Sequence, residues 1–325
     1  GVNAAVALTA VEHLAPANIN QVRQLVERVS DADGDRPLSE HAWLHLRHGG
    51  DHGVVHVLAQ DDSGHLIGYA HLDTTDPVEG SSVELCVDPQ ARGQGIGTAL
   101  VTHAQDRSPD GRLRLWAHGQ KSGAMALATS LGYTRSRTLL QMRRSLFTPL
   151  PAPTLPHGVR LRTFQPGVDD AHWLAVNAAA FAEHPEQGSW TQRSLELRMA
   201  ESWFDPEGFF LAVRDEANNA NGVTERIVGF HWTKVHGGHT HHHAADGSDH
   251  AHQPIGEVYV VGVAPDSVGQ GLGKALVLVG LRHLRSAGLS DAMLYVEADN
   301  HAARALYESL GFTWWDTDVM FRVEA

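Results

Sequence analysis

A strand-like segment, a glycine-rich turn and a helix-like segment follow one another twice in this chain, as "LCVDPQARGQGIGTAL" at residues 85–100 and "VGVAPDSVGQGLGKAL" at residues 261–276. Pro89 and Pro265 stand 176 residues apart, as do Gly95 and Gly271, so the copies are in register. A second pair, "SLGYTRSRTLLQMRRSL" from Ser130 and "SLGFTWWDTDVMFRVEA" from Ser309, repeats at a spacing of 179, which leaves room for only a small insertion. A repeat of this length implies two homologous domains, each long enough to bury its own core. The proline-rich "FTPLPAPTLPHG" reads as an extended linker, with a boundary near residues 147–156 and domains at 1–150 and 151–325.

The order of elements is the same in each copy. In the first, "HVLAQ", "HLIGYAHLDTT" and "SSVELCVDP" read as strands, "GIGTALVTHAQDR" as a helix, "GRLRLWAH" as a strand, "SGAMALATSLG" as a helix and "YTRSRTLLQMRRSL" as terminal strands. The second copy repeats this from "GFFLAVRD" through "GEVYVVGVAP" to "HAARALYESLG", with helical segments such as "DDAHWLAVNAAAFAE" and "TQRSLELRMAESW" ahead of the strands. The segment "HGGHTHHHAADGSDHAHQ", residues 236–253, has no counterpart and no apolar periodicity. It reads as an inserted mobile loop. Histidine clusters also bind transition metals, but the spacing here is irregular, and no catalytic metal is expected.

Composition narrows the function classes. With 42% hydrophobic and 19% charged residues the chain is an ordinary globular one, and no apolar run is long enough to span a bilayer. The first residues lack the basic flank and continuous apolar core of a secretory signal. One cysteine, Cys86, excludes an intramolecular disulfide and fits a cytoplasmic location; on a strand it reads as a buried small hydrophobe in preference to a catalytic thiol. A net charge of −13 argues against nucleic acid as a partner. It does not exclude a phosphorylated small molecule, because backbone N–H groups at a glycine turn and helix start attract phosphate.

The motif "RGQGIG", Arg92 to Gly97, after "ELCVDP" resembles the acetyl-CoA pyrophosphate motif of the GNAT N-acetyltransferases. The second copy, "VGQGLG", departs at Val268, where that family usually has Arg or Gln. The blocks "WAHG", "QMRR", "AAFAEHPEQGSW", "WFDPEGF", "GFHWTKVH", "GEVYVVGV" and "LYVEADN", in this order, resemble the mycothiol synthase family of tandem acetyltransferases. The resemblance implies an α/β (α+β) fold of two tandem domains, each a mixed, mostly antiparallel sheet flanked by helices. It implies acetyl transfer from acetyl-CoA, as co-substrate, to the cysteinyl amine of cysteinyl-glucosaminyl-inositol, in an actinobacterial cytoplasm, with no membrane or nucleic-acid partner and a monomeric chain. Acetylation of another small amine, such as an aminoglycoside, and a silent acyl-CoA sensor are the alternatives.

The resemblance also assigns residues. Cofactor contacts fall on Leu85, Cys86, Val87, Gly93, Gln94, Gly95, Ile96, Gly97 and Thr98 in the first copy. In the second they fall on Val261, Gly262, Val263, Val268, Gly269, Gln270, Gly271, Leu272, Gly273 and Lys274, and then on Asn300, His301, Ala302, Ala303, Arg304 and Ala305. Acetyl transfer to an amine needs a proton acceptor, an oxyanion site and a proton donor for the departing sulfur. Glu257 is the candidate base, and strand alternation is expected to place Glu257, Tyr259 and Val261 on one face; alone, Glu257 reads as a strand-end surface carboxylate. Tyr307 is the candidate acid, with helix packing as its ordinary role. Glu40, Glu186, Lys234, Tyr295 and Glu257 are the acceptor-binding candidates, Glu40 reaching over from the first half, and Trp232 is either a sugar-facing wall or core. The first copy carries Ala128 where the second has Tyr307, Lys121 where it has Asn300, and, at the 176-residue spacing, Ser81 where it has Glu257. The first half is therefore expected to keep a CoA-type site without turnover.

Overall fold

The computed structural model describes residues 6–48, 53–76, 80–119, 123–236, 240–242, 249–251 and 254–323. The first repeat runs β1 (Ala7–Val11), α1 (Pro16–Asp33), α2 (Glu40–His48), β2 (Val54–Gln60), β3 (Leu66–Asp73), β4 (Ser81–Val87), α3 (Ile96–Arg107), β5 (Leu113–Ala117), α4 (Gly123–Ser130) and β6 (Thr134–Ser145). The second runs β7 (Val159–Thr163), α5 (Asp170–Ala180), α6 (Pro185–Gly188), α7 (Gln192–Met199), β8 (Phe209–Ala217), β9 (Val223–His236), β10 (Thr240–His242), β11 (Asp249–Ala251), β12 (Ile255–Val263), α8 (Leu272–Ser286), β13 (Asp291–Glu297), α9 (His301–Ser309) and β14 (Thr313–Val323).

These elements form two compact units. In unit 1, β1 to β4 pair antiparallel in sequence order, β4 pairs parallel with β5, and β14 pairs antiparallel with β5. Unit 2 repeats the scheme: β7, β8, β9 and β12 pair antiparallel, β12 pairs parallel with β13, and β6 lies beyond β13. Each sheet buries both faces. In unit 1 alternate strand residues meet α3 and α4 on one side, through Ile96, Leu100 and Ala128, and α1 and α2 on the other, through Val22, Leu25 and Leu46. In unit 2 the α8 side is built on Leu272 and Leu276, and the opposite side on Trp173 and Leu195 of α5 and α7. Each leucine, isoleucine or valine so withdrawn from water contributes about 1.5–3 kcal/mol against chain entropy.

The units depart from a division at residue 150. Unit 1 comprises Gly1–Leu140 with Glu297–Asp299 and Asp316–Ala325, and unit 2 comprises Gln141–Val296 with Asn300–Trp315. The place beside β5 is therefore taken by the last strand of the second repeat, whose Val319 and Phe321 complete the core under α3 and α4. The linker is extended as expected, yet packed: Leu146 and Leu150 are buried, and Arg144 Nη2 donates to the Thr148 carbonyl at 2.9 Å. Of the histidine-rich insertion, Thr240–His242 and Asp249–Ala251 form a two-stranded antiparallel ladder where an irregular loop is expected; residues 237–239, 243–248 and 252–253 lie outside the described residues.

A partly buried ion-pair triad fastens the exchanged strand into unit 1. His118 follows β5, its Nδ1 bonds Asp318 of β14 at 3.0 Å, its Nε2 bonds Glu84 of β4 at 2.5 Å, and Asp318 Oδ1 accepts from the Gly119 amide at 2.8 Å. Burial works against a charged ring here, but the bonds to Asp318 and Glu84 outweigh it and push His118 up to about 10. Burial also opposes ionisation of Glu84, yet His118 and Ser39 hold it down at about 2. A histidine raised in this way stabilises the fold fully below its ordinary 6.5 and loses that contribution as pH climbs through about 10. A depressed Glu84 stabilises above 4.5 and loses its contribution as pH falls through about 2. Asp318→Asn, by removing one partner of this partly buried pair, is expected to destabilise unit 1 by about 1.5–3 kcal/mol near pH 6. The difference from the parent shrinks as pH approaches 10. Urea unfolding at a series of pH values checks this, and a gap that stays constant from pH 6 to 10 contradicts it.

Candidate active site

In unit 2, β12 and β13 pair at Gly256↔Ala292 and Glu257↔Met293, and no further partners follow. The strands part immediately after Glu257. On its other edge β12 pairs Val258 with Thr233 and then Val260 with Trp232, so Tyr259 is an extra residue with no partner, a β-bulge. The bulge resets the alternation. Tyr259 and Val260 both pack into the aromatic cluster, whereas Val261 and Val263 pack on Leu272 and Leu276. Glu257 and Tyr259 therefore share a face as expected, and Val261 does not join them, because the inserted residue turns it to the α8 side.

Glu257 is 6% exposed, directly opposite Lys234 in register, and bonded through Oε1 to Nε2 of His236. It is thus no strand-end surface carboxylate. The Lys234 ammonium, buried against aromatic faces, lies 4.7 Å from the Trp203 ring centre and 5.3 Å from that of Tyr259. Arg198 of α7 donates to the Tyr259 hydroxyl at 2.7 Å and stacks over Trp190 at 3.8 Å. Trp232 is core: it is fully buried, stacked on Phe209 at 4.5 Å. His236, Arg198, Trp203 and Trp190 are site neighbours that sequence reasoning misses. His236 meets Glu257 only because the ladder pairs it with Ile255 across the insertion, a link no local motif reports.

Beyond the bulge, Gly269 and Gly271 adopt φ of +87° and +78°, a left-handed backbone that side-chain-bearing residues avoid. Gly271 is the N-cap of α8 and has no side chain to satisfy the first-turn N–H groups, which leaves them for an anion. Leu272 is buried core, so it can offer a ligand only its backbone, while Val268, Gln270 and Lys274 are exposed. A Cβ on Gly273 would lie 3.7 Å from Val263 and 4.0 Å from Leu306, which brings the end of β12, the start of α8 and the neighbour of Tyr307 together. Burial pushes the Tyr307 phenol up to about 12, so it stays protonated and able to donate. Asn300 caps α9, its Oδ1 accepting from the Ala303 amide at 3.1 Å, which commits that oxygen to the helix; His301, Ala302, Arg304 and Ala305 complete the turn. Tyr295 on β13 is half exposed, with its hydroxyl accepting from Gln141 at 3.1 Å. Glu186 lies in α6, and Glu40 opens α2 in unit 1.

A cleft open to solvent lies in unit 1. It offers a cavity of about 270 Å³ and is lined by Leu85, Cys86, Val87, Gly93, Gly95, Ile96, Gly97 and Thr98 but not Gln94. Gly93 and Gly95 repeat the left-handed backbone. Arg92 is held by Asp33 in two bonds of 2.8 Å. Burial pushes the Cys86 thiol up to about 12, against a nucleophilic role. The β3–β4 ladder is continuous, without a bulge, so the spacing of the repeat changes at Tyr259. Gly256 pairs with Ala292 as Ser81 pairs with Leu113, which sets the counterpart of Glu257 at Ser82, not Ser81. Ala128 is fully buried, and Lys121 lies outside the described residues.

Diverging parallel strands that open onto a glycine turn and a helix N-terminus, twice in one chain, define an acyl-CoA-dependent transferase fold. The chain belongs to the acetyltransferase (GNAT) family, whose model matches residues 19–133 and 173–312. Among individual proteins, a mycothiol acetyltransferase of Acidothermus cellulolyticus is 56% identical over 310 residues, 95% of this chain and 92% of the relative. One of Streptomyces coelicolor is 51% identical over 312 residues, 96% of this chain and 93% of the relative. A tandem GNAT protein from the clavulanic acid biosynthesis pathway shares the fold at a TM-score of 0.69, with 18% identity and 98% of each chain covered. An N-acetyltransferase of Sphaerobacter thermophilus matches at 0.64, with 26% identity over 98% of this chain and 95% of that one.

The two glycines of the α8 turn should respond differently to a methyl group. Gly271→Ala forces φ of +78° on a residue with a Cβ, and is expected to weaken acetyl-CoA binding at least about tenfold. Gly273→Ala meets ordinary van der Waals distances and is expected to bind within about twofold of the parent. Calorimetric titration with acetyl-CoA compares them; equal losses would show that backbone conformation is not what the turn supplies.

Proposed function

We propose that the chain transfers acetyl from acetyl-CoA to the cysteinyl amine of 1D-myo-inositol 2-(L-cysteinylamino)-2-deoxy-alpha-D-glucopyranoside, giving mycothiol and CoA. The observation that carries this reading is 56% identity, over 95% of the chain, to a relative named for that acetylation. Unit 2 holds the chemistry in this reading, and unit 1 keeps a CoA-type cleft without turnover. The chain acts as a cytoplasmic monomer on small molecules, with no catalytic metal, membrane or nucleic acid involved.

In the reaction the neutral amine attacks the thioester carbonyl, the carbonyl oxygen takes up negative charge, and the C–S bond breaks as the oxyanion collapses. Glu257 accepts the amine proton, directly or through one water, and Lys234 opposite it balances the carboxylate while His236 fixes its rotamer. Backbone amides of Val261 and Val263, on the strand edge that β13 leaves free, receive the pantetheine arm and the oxyanion, while the Gly262 amide between them turns to β9, as the Ala264 amide does in donating to the Val228 carbonyl. The absent side chain of Gly262 matters there, since a Cβ would sit 2.8 Å from Phe230. Tyr307 gives its proton to sulfur. The turn from Val268 to Lys274 holds the pyrophosphate, with Asn300 to Ala305 bordering it, and Glu40, Glu186, Lys234 and Tyr295 hold the acceptor.

Glu257→Gln is expected to lower kcat by about 10²–10⁴ while leaving the Kd for acetyl-CoA unchanged. Tyr307→Phe, which keeps the ring and removes the proton, is expected to lower kcat by about 10–100-fold. Single-turnover rates with the cysteinyl acceptor and with a panel of other amines, aminoglycosides included, test both roles and the substrate. Unchanged rates in Glu257→Gln reject the base; a higher kcat/KM for another amine rejects the acceptor.

A further inference from the structure

The two units can be superimposed by register alone. Gly68 faces Val87 as Gly229 faces Val263, and Asp73 faces Ser82 as Lys234 faces Glu257. Counting along these ladders, unit 1 places His71 where unit 2 has Trp232, and Asp73 where it has Lys234. On the next strand His56 faces His71 as Phe209 faces Trp232. Unit 2 fills this face with stacked aromatic rings. Unit 1 fills it with imidazoles, and neutral rings taken out of water need partners for their nitrogens.

Helix α2 brings two more. His41 and His45, one helical turn apart, project to the same side. His41 Nε2 lies 2.7 Å from Asp73 Oδ2, and one nitrogen of each histidine, with a carboxylate oxygen of Asp73, form a set mutually within 4.8 Å. Two of the three side chains are oriented from behind. Asp73 Oδ1 accepts from the Thr75 amide at 2.9 Å and from its hydroxyl at 2.6 Å, which leaves Oδ2 to face the histidines. His45 Nδ1 lies 3.1 Å from Nε2 of His71, which holds the ring and leaves Nε2 of His45 for a cation.

We propose that His41, His45 and Asp73 bind a zinc-class divalent cation, with Thr75 and His71 orienting the ligands and water in the fourth position. Two imidazoles and a carboxylate are the donor set that four-coordinate zinc accepts, at bonds of about 2.0–2.2 Å and so ligand separations of about 3.3 Å. A cation entering between His41 and Asp73 widens their 2.7 Å contact to that separation and draws the wider ones in, and the His41 side chain, 55% exposed, leaves it an entry path.

The test uses the full chain with His239, His241, His242, His243, His250 and His252 replaced by Asn, so that the histidine-rich insertion does not compete. Titration with Co²⁺ is expected to saturate at one equivalent with the absorption bands of four-coordinate cobalt, and Zn²⁺ to displace it. His41→Gln and Asp73→Asn should each weaken Zn²⁺ binding at least about tenfold, and Thr75→Val about tenfold through loss of ligand orientation. His41 is exposed, so His41→Gln leaves the fold intact, and circular dichroism verifies this for the other variants. Equal Zn²⁺ affinity in His41→Gln and its parent overturns the proposal. So does binding without a defined stoichiometry, which marks adventitious surface binding only, and so does absence of binding.

Discussion

One unpaired residue, Tyr259, sets the geometry on which the rest of unit 2 depends. Upstream of it, β12 is hydrogen-bonded on both edges, to β9 and to β13, and Glu257 sits at the last position held from both sides. Downstream, one edge is open, and the strand's side chains have changed faces. The carboxylate is therefore rigid where a proton must be taken, and the backbone is unpaired where a ligand can add hydrogen bonds of its own. A regular strand cannot provide both within a few residues. The aromatic packing around Tyr259, with Trp203 and Trp232 at 5.2 and 5.3 Å, holds the extra residue in place.

The two units show what the same scaffold does without that residue. In β4 the ladder to β3 is unbroken, the parallel pairing to β5 still ends early, and a cleft with left-handed glycines remains. Opening of the sheet and the glycine turn are thus properties of the shared scaffold. The buried carboxylate opposite a lysine is not: its place in unit 1 is taken by Ser82 opposite Asp73. Glu84, two residues on, is spent on His118 and Ser39 and serves to hold strands together.

What could be read from the sequence follows from which constraints are local. The glycines at 93, 95, 269 and 271 were legible because a positive φ admits little else, and the strand before and helix after each turn follow the same rule in both copies. Glu257 and Lys234 were legible as residue types at strand positions, but their burial was not, since it depends on α7 and the aromatic rings it packs beneath. The bulge was hidden because the residues that mark the repeat, Pro89 and Pro265, lie downstream of it, and the one-residue change upstream is expressed only in the ladders. His236 and the cluster of His41, His45 and Asp73 come together through pairings across many residues. The exchange of terminal strands was invisible for a different reason: "SLGY" and "SLGF" lead into similar sequences, and composition does not say which β5-like edge a terminal strand will choose.

That exchange has a consequence for how the chain is made. Residues up to Leu140 leave the ribosome with every helix of unit 1 and five of its strands, but the strand that covers β5 and carries Val319, Phe321 and Asp318 is translated roughly 180 residues later. At about 5–20 residues per second the edge of β5 stays bare for on the order of ten seconds or more. During that interval nascent unit 1 carries an unpaired strand edge over an incompletely covered core, the feature that invites strand addition from a neighbouring chain. Its protection is then a matter of timing and of chaperone occupancy, and a polysome bearing many copies of this message is where the hazard is greatest.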